Sequence, residues 1–126
     1  MKRLTADWVR KSEGDLLTAE REFVASPPNY DAAAYHAQQA AEKFLKACLI
    51  ESDVRFPKTH DLPALLDLLI AEHPDWEEMR PNLNLLTSLG LEVRYPGMEA
   101  ELEEAEEALA IARSVRDVTL VSLGCE

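Results

Sequence analysis

Strand signals are nearly missing from this chain: β-branched residues nowhere alternate with polar ones over a useful length. That removes sandwiches, barrels and α/β folds from consideration. Cysteine is scarce. Cys48 lies in the apolar stretch AEKFLKACLIE and Cys125 is the second-last residue, so no disulfide framework is expected. There is no C-x-x-C, and His36, His60 and His73 are not spaced at i, i+4, so no metal site and no cofactor are expected. The apolar runs are short and broken by charge, which excludes a membrane span. MKRLTADW has no apolar stretch behind its two basic residues, so a signal peptide is not expected and the expected location is cytoplasmic. A general basic excess is also absent.

What is present suits a globular protein. Apolar residues make up 47% and charged residues 29% of 126, too many apolar groups for a disordered chain and enough for one domain spanning 1–126. The net charge of −11 is unevenly placed. Residues 1–60 carry nine Lys/Arg against nine Asp/Glu, and residues 61–126 carry four against fifteen. Nucleic acid could therefore meet this protein only through a local patch in the first half.

Apolar spacing predicts helices throughout. The first is expected from Thr5, as N-cap, to Ala25, with Trp8, Leu16, Ala19 and Phe23 on one face. The prolines of SPPN stop it. An alanine-rich second helix runs from Tyr30 or Asp31 to Ser52, burying Ala33, Ala37, Ala40, Ala41, Phe44 and Cys48. A third, capped by Asp61, runs to just before Pro74 on Leu62, Leu65, Leu66 and Leu69. A fourth starts at Asp75 or Pro81 and ends near Val93. Pro96 and Gly97 shape a turn. A fifth runs from Met98 to Leu120, with Leu102, Ala105, Leu109, Ala112 and Val115 inward and six glutamates in its first turns. Trp8 and Trp76 are expected as core anchors. Together these helices predict an all-α fold, an antiparallel up-and-down bundle of four to five helices.

The second helix carries a polar stripe. Tyr35, Gln39, Glu42 and Lys46 share a narrow sector, flanked by His36 and Lys43. It reads either as a solvent-facing strip with an ordinary Glu42–Lys46 pair or as a small anion or nucleotide site charged by Lys43 and Lys46. Lys58 is a loop lysine or an extension of that patch. His60 orders the start of the third helix or serves as a base.

The blocks WVRKSEGDLLTAE, AAAYHAQQAAEKFLKACLIESDV, PKTHDLPALL and LEVRYPG resemble a HEPN domain over nearly the whole chain. The resemblance implies a helical bundle that forms a homodimer, in a prokaryotic setting, beside or fused to a minimal nucleotidyltransferase in toxin–antitoxin-like pairs. Many such domains are metal-independent ribonucleases built on an arginine followed, after four to six residues, by a histidine. Arg94 matches the arginine, but positions 99, 100 and 101 hold Glu99, Ala100 and Glu101. Histidine is the side chain suited to proton transfer near neutral pH, and the glutamates carry the wrong sign for phosphate. The expectation is a non-catalytic module binding a nucleotide or RNA through Arg94, Lys43, Lys46, Lys58, Gln39 and Tyr95. The alternatives are a ribonuclease using Glu99 or His60, and a scaffold whose acidic fifth helix meets a basic partner. Arg94 itself reads as a helix-end cation, a partner for a glutamate, or a phosphate ligand.

Overall fold

A computed structural model describes residues 1–93 and 95–125. Among them the chain forms α1 (Arg3–Val24), α2 (Tyr30–Glu51), α3 (Leu62–Asp67), a 3₁₀ helix (Pro74–Met79), α4 (Arg80–Glu92) and α5 (Leu102–Ser122). No strand occurs among the described residues. The result is an all-α antiparallel bundle around α2, which packs against α1, α3, α4 and α5.

The central place of α2 follows from its alanines. Ala33, Ala37, Ala40, Ala41, Phe44 and Cys48 are all buried, as their spacing predicts. Small side chains let neighbouring backbones come close. α4 approaches closely at Gly90, where an added Cβ would lie 2.3 Å from the Cβ of Gln38. Burial pushes the Cys48 thiol up to about 12, helped by the charge of Glu51, so it behaves as a core residue.

Several boundaries differ from expectation, and the reasons are hydrogen bonds. α1 starts at Arg3, ahead of Thr5. Its first turn is capped by α2: Glu51 Oε1 accepts from the Lys2 backbone N–H at 2.9 Å and from the buried Thr5 hydroxyl at 2.8 Å. Those two bonds, the backbone one first, hold the Glu51 carboxyl below the usual glutamate range. Asn29 caps α2 by accepting from Ala32 N–H at 3.0 Å. Asp61 caps α3 as expected, but α3 ends at Asp67, where Leu68 N and Leu69 N switch to partners three residues back. The stretch expected to begin the fourth helix at Asp75 is the 3₁₀ helix, and α4 takes over at Arg80 with Pro81 in its first turn. α5 starts four residues later than expected. Glu101 is its N-cap in a reciprocal capping box with Glu104, so Glu99 lies outside the helix.

The core anchors also divide. Trp76 is buried and stacks on His73 at 3.8 Å, whereas Trp8 is only half-buried. Leu102, placed inward by its spacing, is exposed because α5 begins there. A two-pronged ion pair from Arg116 to Glu13 (2.5 and 3.0 Å) ties α5 to α1. Gly97 has φ 87° in the turn after α4, which accounts for glycine there.

The Gly90–Gln38 approach makes a prediction whose sign opposes helix propensity. Alanine in place of glycine within a helix ordinarily gains up to about 1 kcal/mol. Gly90→Ala should instead lower stability by about 1–3 kcal/mol, because the new methyl has to displace α4 or Gln38. Urea unfolding followed by circular dichroism measures it, and a stabilised variant would refute the close contact.

Candidate functional site

The polar stripe of α2 faces inward. Glu42 is 3% exposed, and Gln39 and Lys46 are each 8% exposed. The solvent-facing reading is therefore corrected for Gln39, Glu42 and Lys46: Trp8 of α1 and Phe56 and His60 of the 53–61 loop lie against the last two. Burial of a charge demands partners, and Glu42 has them. Its Oε2 accepts from Lys46 Nζ at 2.8 Å, and its Oε1 faces His60 Nδ1 at 2.8 Å and Gln38 Nε2 at 3.5 Å. Gln38 also donates to the His60 carbonyl at 2.8 Å and accepts from Gln39 at 2.7 Å. His60 thus orders the approach to α3 from both its ring and its backbone. The Lys46 ammonium lies 5.8 Å from the Trp8 ring centroid and 5.6 Å from that of Phe56, a cation against two aromatic rings.

A second feature opens on the same side of α2. Leu4, Asp7, Trp8 and Lys11 follow one another at helical spacing along α1, and with Arg10 and with Lys43 from α2 they line a cleft of about 850 Å³. Lys43 Nζ contacts Asp15 at 2.5 Å, and His36 Nδ1 approaches the same carboxylate at 3.1 Å.

These contacts decide which predicted site residues meet. Gln39 and Lys46 belong to one buried network, and Lys43 reaches the cleft beside it. Lys58 is exposed and makes no ion pair among the described residues. Tyr95 is 66% exposed and joins none of the network's hydrogen bonds. Arg94 lies outside the described residues. On either side of it, Gly90 meets Gln38 and the Ala100 N–H donates to Asp31 Oδ1 at 2.6 Å. Asp31 and Lys46 are roughly 22 Å apart along the α2 axis at 1.5 Å per residue. Gln38, Trp8, Arg10 and Lys11 were missed as site candidates. The i, i+3 spacing of Trp8 and Lys11 was a usable signal, but only the register of α1 on α2 brings Lys43 opposite them.

The HEPN domain family model matches residues 5–122. The chain belongs to the HEPN domain family. Searches of curated proteins and of solved structures returned no match. The sequence holds no histidine after His73. Among the described residues no group of His, Cys, Asp and Glu could hold a metal, and no helix is long and apolar enough to cross a membrane.

The network predicts unequal costs for its two ends. Glu42→Ala leaves a buried lysine unpaired and should cost about 3–5 kcal/mol. His60→Ala removes a half-exposed ring and should cost about 1 kcal/mol. Chemical denaturation of the two variants separates them, and equal costs would mean that Lys46 does not depend on Glu42.

Proposed function

We propose that this chain is a non-catalytic HEPN module that forms a homodimer, binds a nucleotide or RNA, and acts with a minimal nucleotidyltransferase partner in a toxin–antitoxin-like pair. The observation that carries this reading is the family match over residues 5–122 combined with the absent motif histidine. Metal-free RNA cleavage requires a group that takes a proton and a group that gives one. Glu99 and Glu101, where the histidine would fall, are exposed and add negative charge where phosphate would approach.

The candidate ligand contacts keep different weights. Lys46 has its charge matched by Glu42, so it shapes the field around Trp8 rather than gripping phosphate. Lys43 reaches the cleft, Lys58 is open to solvent, and Tyr95 offers an exposed ring. Gln39 acts through Gln38. Arg94 is proposed as the principal phosphate ligand on the strength of its motif position.

One contact favours a second reading, a ribonuclease with His60 as base. A carboxylate at 2.8 Å from Nδ1 of a half-exposed imidazole is the arrangement that fixes a tautomer and leaves Nε2 for proton transfer.

Calorimetry with ATP and with short single-stranded RNA, at low and moderate salt, tests the first reading. Binding that weakens with salt is expected, and Arg94→Ala should cost about 1.5–3 kcal/mol of it. No heat with any ligand removes the ligand part, and a monomer in sedimentation removes the dimer part. Incubation with cellular RNA should yield no cleavage. Cleavage that disappears in Arg94→Ala overturns the non-catalytic reading, and cleavage that disappears in His60→Ala but persists in Arg94→Ala selects the second.

A further inference from the structure

Trp8 is the residue whose placement the packing explains least. Its spacing predicts a core anchor, yet the ring is half-buried and lines the α1/α2 cleft. It is held from behind: Phe56 meets it edge-on with centroids 6.3 Å apart, and Lys46 approaches the ring at 5.8 Å. Its indole N–H makes no hydrogen bond among the described residues and is not sealed from solvent. An aromatic ring braced this way and facing an open cleft is pre-organised for a planar partner.

The charges around it are of one prevailing sign. Arg10, Lys11 and Lys43 line the cleft against one acid, Asp7. Asp7 is engaged by Arg10, and Lys43 by Asp15. Lys11 has no ion pair among the described residues. Residues 1–12 carry Lys2, Arg3, Arg10 and Lys11 against Asp7 alone, in a protein of net charge −11. The lining of the cleft thus carries more positive than negative groups in a protein whose net charge is negative.

We propose that the α1/α2 cleft binds a nucleotide unit of single-stranded RNA, with the base stacked on Trp8 and the phosphate met by Lys11 and Lys43. A ring beside cations is the combination single-strand binders use, because every base has a π-face and every nucleotide a phosphate. This rests on the nucleotide-or-RNA reading above but assigns the contact to residues outside the motif segment. The volume of about 850 Å³ accommodates a nucleotide.

Fluorescence anisotropy of a labelled short single-stranded RNA tests the assignment, with AMP and inorganic phosphate as competitors. Trp8→Leu should weaken binding about tenfold, while Trp8→Phe retains most of it. Lys11→Ala, an exposed change that leaves the fold intact, should reduce the salt slope by about one. Competition by AMP at concentrations where phosphate fails supports stacking, and equal competition by the two overturns it. RNA binding that is unchanged in Trp8→Leu and Lys11→Ala places the ligand elsewhere while the RNA reading stands. Wild-type protein that binds neither RNA nor AMP overturns both. A shift in sedimentation in Trp8→Leu with RNA affinity unchanged makes this face a contact between copies of the chain and overturns the assignment.

Discussion

A carboxylate in the middle of a buried helix has to be compensated, and the compensation of Glu42 organises the surrounding structure. The charge draws Lys46 inward from the next turn of α2 and His60 inward from the loop before α3. Gln38 then closes the arrangement, donating to the His60 carbonyl and lying against Gly90 of α4. One buried negative charge thus ties α2, the 53–61 region and α4 into a single unit. Such a network adds little net stability over an apolar core, since desolvation offsets most of the attraction. Its physical effect is specificity: the α2–α4 register that satisfies it leaves no room for a side chain at position 90.

The same compensation governs which charges are available for ligands. Lys46 is consumed by Glu42, whereas Lys43 lines the cleft beside Trp8 while touching Asp15. What stays open is a rim around Trp8, supplied by α1 and positive because the first twelve residues carry only one acid. The acidic half of the chain places Glu103 and Glu104 in the first turn of α5, where the helix dipole favours them.

The catalytic question turns on chemistry more than on architecture. The bundle is that of a HEPN domain, and no histidine follows Arg94 in the sequence; histidine is the side chain suited to proton transfer near neutral pH. The only carboxylate-oriented imidazole among the described residues beyond the Asp15–His36 pair is His60, on the opposite side of α3's start from the motif segment in sequence. A family fold can host a changed site without changing its core, since the core depends on apolar spacing and the site on a few polar groups.

Helix identity was legible because apolar residues recur at helical spacing, and Ala33 through Cys48 are buried as that spacing requires. The cap at Asp61 was legible because its side chain reaches its own next turn. The start of α1 was not legible, because its cap, Glu51, comes from the far end of another helix. Nor was the direction of the polar stripe: sequence spacing places Gln39, Glu42 and Lys46 together but does not say that another element covers them. By itself the sequence determined the helices, the all-α class and the lack of a histidine after Arg94, since these depend on local spacing and residue identity. Only the tertiary structure decided that Glu42 and Lys46 are buried and that Trp8 opens onto Lys11 and Lys43. Burial and cross-helix contact depend on how α1, α2 and α4 register against one another, and no local pattern encodes that register.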